Sequence, residues 1–161
     1  MSEKKTWHAR YPESIASEVN IPSKSMPEML QEVTAMYPQN TALSFYGRKM
    51  LYAELQKAVY GFAASLQKNG VQKGGRVAIM LPNCPQYVIA YYGTLAAGAI
   101  VTQVNPMLVE RELEYIINDS GAETLVVFDA LYPRVKGVQS NTKLRNVIVV
   151  SLQQSDADFS P

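Results

Sequence analysis

The sequence predicts an α/β fold: a mostly parallel sheet covered by helices on both faces. Three observations carry that prediction. From Arg76 to Val150, short apolar and β-branched runs alternate with segments of helical periodicity, strand–helix–strand three times in succession, which is the pattern of parallel strands joined by crossover helices. The runs are continuously apolar instead of alternating, as strands buried on both faces require. Finally, 161 residues with 47% hydrophobic and 18% charged side chains are enough for one domain with a sizeable core and too few for two.

Each element follows from local chemistry. Residues 1–24 are polar, with Pro12 and Pro22, and are expected to form an irregular N-terminal arm. Residues 25–150 are expected to form a single α/β subdomain. Ser25-Met26-Pro27-Glu28 has the spacing of a capping box with proline in the first turn, opening a helix to about Tyr37. Its apolar positions Met29, Val33 and Met36 recur at helical spacing, and Pro38 stops it. Thr41 to Tyr46, a turn at Gly47-Arg48, and Lys49 to Leu51 predict a hairpin near 41–51. A long amphipathic helix follows from Tyr52 to about Asn69. Leu55, Val59, Phe62, Ala63 and Leu66 share one face, and Gly70 lies at its end.

Arg76 to Leu81 then predicts a strand, followed by a helix with Pro85 in its first turn that runs to about Ala97. Ile100 to Val104 is the next strand, ended by Asn105-Pro106. Glu110 to Asp119 predicts a helix closed by Gly121, with Leu113, Ile116 and Ile117 inward and Glu110, Arg111, Glu112 and Glu114 outward. Thr124 to Phe128 is a strand, Ala130 to about Gln139 a helix, and Asn146 to Val150 a last strand. Residues 151–161 are polar and acidic, and read as a tail or a loop cut from a longer chain. The strand before them is followed by nothing that closes the sheet.

Composition excludes much chemistry. The net charge is +1, with no basic stripe to grip a phosphate backbone, so nucleic acid is not an expected partner. One histidine, His8, and one cysteine, Cys84, leave no set for a His/Cys zinc site and no internal disulfide. A histidine-based triad would have to use His8 in the polar arm. The N-terminus has no apolar signal region, and a single cysteine suits a reducing cytoplasm. A cytoplasmic location is therefore expected, with peripheral membrane contact left open. Val77 to Val109 carries no charge, but Pro82, Pro85, Gly98 and Asn105 interrupt it. A buried strand, a packed helix and a second buried strand account for it better than a membrane span.

The candidate site residues are few. No Gly-Lys pair and no glycine triplet of dinucleotide spacing occurs, and Gly74-Gly75 precedes a strand where a phosphate cradle would follow one. Cys84, just inside a predicted helix N-terminus, has the place of a reactive thiol, but packing is the preferred role. Asp129 ends a strand without the further carboxylates that a cation-binding receiver site needs, so it is expected to cap the helix from Ala130. Asn105-Pro106 also follows a strand end, where Asn either binds a ligand or holds the turn before proline. The chemistry of the two residues does not choose. The ten tyrosines are expected in the core and at interfaces.

Arg76 to Tyr87 (Arg-Val-Ala-Ile-Met-Leu-Pro-Asn-Cys-Pro-Gln-Tyr), then Leu95-Ala96-Ala97-Gly98-Ala99 and Asn105-Pro106, closely resemble the N-terminal part of the AMP-forming adenylating enzymes. Among these they are most similar to the long-chain fatty-acid–CoA ligases. Tyr52-Ala53-Glu54-Leu55 is similar to that superfamily's first core motif and Leu95 to Asn105 to its second. The likeness runs from about Met26 to Val150. In two places the sequence departs from the pattern. Leu51 stands where a capping Thr or Ser is usual, and Gly75 where Asp is common, so both bear on stability. The family's phosphate loop, adenine, ribose and hinge motifs and its catalytic lysine have no counterpart before Pro161.

The resemblance implies an N-terminal subdomain of an adenylate-forming enzyme. The parent would use ATP, Mg2+ and coenzyme A to convert a fatty acid to acyl-CoA. In this chain it implies no catalytic, cofactor-binding or metal residue and no activity of the chain alone. Asn105 and Pro106 would lie near a substrate passage. Fatty acid and CoA would be the parent's partners, and the remainder of a longer chain would pack against this part. The alternatives are a fragment of an adenylating enzyme for aryl or amino acids, and a stand-alone doubly wound binding or signalling module.

Overall fold

The fold, seen in a computed structural model, is described for residues 6–151 apart from residues 13, 17 and 18 and the side chain of His8. The tail expected over 151–161 therefore lies, beyond Ser151, outside the described residues, as do residues 1–5 of the arm. The chain runs through α1 (Met26–Met36), β1 (Thr41–Phe45), β2 (Arg48–Leu51), α2 (Tyr52–Lys68), β3 (Arg76–Met80), α3 (Pro85–Ala96), β4 (Ile100–Gln103), α4 (Glu110–Ser120), β5 (Thr124–Phe128), α5 (Tyr132–Val138) and β6 (Asn146–Val150). Short 3-10 helices lie at Thr6–Arg10, Asp129–Leu131 and Gln139–Asn141.

The last four strands form one parallel sheet in the order β4-β3-β5-β6. Its faces separate by strand alternation. Val77, Ile79 and Val126 pack with Ala63 and Leu66 of α2 and Ala90 of α3. Ala78, Met80, Leu125 and Val127 pack with Leu113 and Ile117 of α4 and Val135 and Val138 of α5. A further layer forms outside α2 and α3, where Leu30 of α1 and Met50 of β2 meet Leu55 and Val59, with Val88, Ile89 and Tyr92 of α3 against them. Helix α3 is thus covered on two sides, which is why its sequence is apolar all round. Its 12 residues span about 18 Å, against about 30 Å of bilayer hydrocarbon. Among the described residues no helix is long and apolar enough to cross a membrane.

Helix α1 begins as its sequence requires. The amide of Ser25 donates to Glu28 Oε2 at 2.7 Å, and Glu28 N donates to Ser25 Oγ at 3.4 Å. Ser25 Oγ also donates to Glu28 Oε2 at 2.8 Å, and the two bonds that the carboxylate accepts hold the exposed Glu28 below its ordinary pKa, the backbone bond from Ser25 being the main cause. Its inward face, however, is not Met29–Val33–Met36. Leu30 and Thr34 are buried, while Met29 is 43% and Met36 61% exposed. The two stripes overlap on so short a helix, and the positions of α2 and α3 select the one that turns inward.

Other junctions also differ from expectation. The hairpin turn is Tyr46-Gly47, with φ of 46° and 81°, and Arg48 already pairs with Phe45. A two-residue hairpin turn of this hand needs positive φ at both central residues, which Gly47 supplies only in second place. The helix expected from Ala130 starts at Tyr132, because Pro133 has no N–H to offer the carbonyl of Asp129. Residues 129–131 close as a 3-10 turn instead, with Tyr132 N–H donating to Asp129 O. Gly75 ends a tight turn in which its N–H donates to Gln72 O at 2.8 Å. A Cβ on residue 75 would lie 2.9 Å from that oxygen, so glycine suits the turn as it is built here.

Leu51 precedes α2 with extended backbone (φ −78°, ψ 159°) and makes no side-chain cap bond. Only half of a capping box exists, the amide of Leu51 donating to Glu54 Oε2 at 2.7 Å. Val109 and Glu112 repeat the same half-box before α4 at 3.1 Å. Leu51→Thr would supply the missing acceptor on backbone already in the cap conformation. The expected gain is about 0.5–1 kcal/mol, reduced by the apolar contact of the half-buried leucine. Urea midpoints at matched slope measure it; a destabilised variant would show that the leucine's packing outweighs the cap.

Candidate functional site

In an open parallel sheet, ligands bind outside the carboxyl ends of the strands, where neighbouring connections leave to opposite faces. Here that place is between β3, whose connection α3 packs on one face, and its neighbour β5, whose connection α5 packs on the other. Three loops border it: Leu81–Cys84, Val104–Val109 and the turn at Asp129. Two of the five residues from Leu81 to Pro85 are prolines, which lack amide donors, so the first loop makes a poor anion nest.

Asn105 is exposed and Pro106 half-buried. The Asn105 side chain holds its own loop, its Oδ1 accepting from Met107 N at 2.9 Å while Asn105 O accepts from Leu108 N at 3.1 Å. The loop is anchored from outside by a residue that the sequence did not single out. Arg134, in the first turn of α5 and half-buried, donates through Nη1 to Pro106 O at 3.0 Å and Leu108 O at 2.6 Å. A lone arginine in a short helix has no signature in sequence, and only the fold brings it across to residues 106 and 108.

On the α3 side, Gln103 Nε2 donates to Tyr87 Oη at 2.6 Å, joining the end of β4 to the first turn of α3. Burial raises the Tyr87 phenol above its ordinary pKa, with Tyr91 adding to the shift and the Gln103 bond opposing it. The rings of Tyr87 and Tyr91 stack with centroids 6.2 Å apart. Gln86 Oε1 is buried without a hydrogen-bond partner.

Cys84 is the N-cap residue of α3 instead of a residue inside it. It is 6% exposed and packed in the core between α3 and the sheet. Burial pushes its thiol up, against smaller lowering by the Tyr87 and Gln86 amides, so the helix terminus does not make a reactive thiolate. Iodoacetamide at pH 8 is therefore expected to leave the folded chain unmodified and to label Cys84 fully in urea. Rapid labelling under native conditions would contradict the packing role. Asp129 Oδ1 accepts from Ala130 N at 2.7 Å, so it holds the 3-10 turn and does not cap α5.

Among the described residues no group of three or more His, Cys, Asp or Glu side chains is placed to hold a metal ion. An open groove of about 510 Å3 between α4 and α5 is lined by Glu110, Glu114, Tyr115, Asn118, Gly137 and Asn141, among others. The Asn118 and Asn141 amides in it are engaged with Asn141 O and Glu114 Oε2.

A family profile described as "AMP-binding enzyme" matches residues 30–160. The chain belongs to that family. This member of the AMP-binding enzymes is similar to the long-chain-fatty-acid–CoA ligase of Bacillus subtilis (strain 168), with 40% identity over 153 residues, 95% of this chain and 27% of that protein. Its fold is similar to the long-chain-fatty-acid–CoA ligase of Archaeoglobus fulgidus (TM-score 0.76, 30% identity, 82% of this chain and 28% of that one). It is also similar to the N-terminal subdomain of NpsA from Klebsiella oxytoca (TM-score 0.63, 32% identity, 65% of this chain and 27% of that one). The fold of this chain is therefore that of an N-terminal subdomain of an adenylate-forming enzyme. The chain spans about a quarter of the length of the relatives it matches.

Proposed function

We propose that this chain is the N-terminal scaffold of an AMP-forming long-chain fatty-acid–CoA ligase, which converts fatty acid, ATP and CoA to acyl-CoA, AMP and pyrophosphate. The observation that carries the reading is 40% identity over 95% of the chain to a ligase of that description. The β3–α3 loop, with two prolines in five residues, does not suit the phosphates of ATP, and among the described residues no group of three or more His, Cys, Asp or Glu side chains is placed to hold a metal ion. No step of the reaction is therefore assigned to the residues present. Their part is to support the carboxyl-end crevice, with Asn105 and Pro106 bordering a passage for substrate and the remainder of a ligase-length chain packing against the outer surfaces. A cytoplasmic enzyme that meets membranes only peripherally belongs to the same reading, since its acid substrate partitions into bilayers.

The test is a chimera in which residues 26–150 replace the matching segment of the Bacillus subtilis ligase. Oleoyl-CoA formation within about tenfold of the parent, a barrier change of about 1.4 kcal/mol, is expected. A folded chimera without thioester formation would overturn the assignment. The 161-residue chain by itself is expected to show no ATP–pyrophosphate exchange above a heat-killed control.

A further inference from the structure

We propose that Arg134 is the positioning residue of the Asn105–Val109 loop, holding the β4–α4 connection against α5 and so fixing one wall of the carboxyl-end crevice. The proposal deepens the substrate-passage reading and rests on it for its functional meaning, though its geometry stands alone. The loop has no strand partner. Its internal bonds are two, both to Asn105: from Met107 N at 2.9 Å to Oδ1 and from Leu108 N at 3.1 Å to the carbonyl. Met107 and Val109 are 82% and 59% exposed, while Leu108 packs against the core that contains Leu113 and Val135, so the loop is held by that one apolar contact together with its hydrogen bonds. The outward-facing carbonyls of Pro106 and Leu108 are both met by Nη1 of Arg134. Among the described residues Arg134 makes no ion pair, so its charge is directed to these two carbonyls, and hydrogen bonds from a charged donor are the stronger kind. A terminal guanidinium nitrogen carries two hydrogens and can serve both oxygens at once.

The experiment is native amide exchange, resolved by residue, on the 161-residue chain and its Arg134→Ala and Arg134→Met variants. In Arg134→Ala, Met107 and Leu108 amides are expected to exchange about tenfold faster while β3 and β5 amides keep their protection. A few millimolar guanidinium ion, well below denaturing concentration, should restore the loop in Arg134→Ala but not in Arg134→Met, where the side chain fills the space. Unchanged loop exchange in Arg134→Ala would overturn the proposal. So would faster exchange spread evenly over the sheet, since that marks a residue of general stability. The measurement needs no substrate, so its outcome is independent of the chimera's activity. An inactive chimera would overturn the ligase reading with the clamp intact.

Discussion

Leu66→Ala is expected to destabilise the domain by about 3 kcal/mol. Leu66 is fully buried on the sheet-facing side of α2, in the core that contains Val77, Ile79 and Val126. Truncation removes apolar area from a site walled by a sheet on one side and α3 on the other. Neither can move in without breaking its own contacts, so a cavity term adds to the lost transfer energy. Met36→Ala is the control, because that side chain is 61% exposed and its loss should change stability by no more than about 0.5 kcal/mol. Urea unfolding of the two variants at matched slope measures both. A large effect at Met36 would restore the α1 face that periodicity suggested and contradict the one found.

Gly93→Ala is expected to cost a net of about 2 kcal/mol. Alanine in the interior of a helix gains up to about 1 kcal/mol over glycine from propensity. Against that, a Cβ on residue 93 would lie 2.8 Å from Phe62 Cδ1 and 3.0 Å from Val59 O. The Val59 carbonyl belongs to the α2 backbone and retreats only if the helices separate. Overpacking of this kind costs about 1–3 kcal/mol, and contact with backbone places it at the upper end. The sign is therefore decided by the α2–α3 approach. A stabilised Gly93→Ala protein would mean that the two helices are farther apart than described.

Several features were legible because a single local signal determined them. Thr124–Phe128 and Asn146–Val150 begin and end where their apolar runs do. Ser25 and Glu28 form their box because the four-residue spacing suffices for both bonds. Gly121 closes α4 in the left-handed conformation, with φ 67°, that few other residues adopt at low cost. Asn105 was visible as a residue of interest, but its two roles were equally open in sequence. The structure engages its side chain with Met107 N, so the turn role is present whatever it binds.

By itself, the sequence determined the order of strands and helices, the parallel sheet and the family, because each rests on periodicity, caps and motif spacing within short stretches of chain. Tertiary structure alone decided which stripe of α1 turns inward, that Cys84 is sealed in the core and not activated at a helix end, and that Arg134 reaches Pro106 and Leu108. The physical reason is the same in all three. Burial and long-range hydrogen bonds depend on which surfaces come together when helices cross a sheet, and residues that meet only then, such as 106 and 134, share no local pattern that a linear sequence can display.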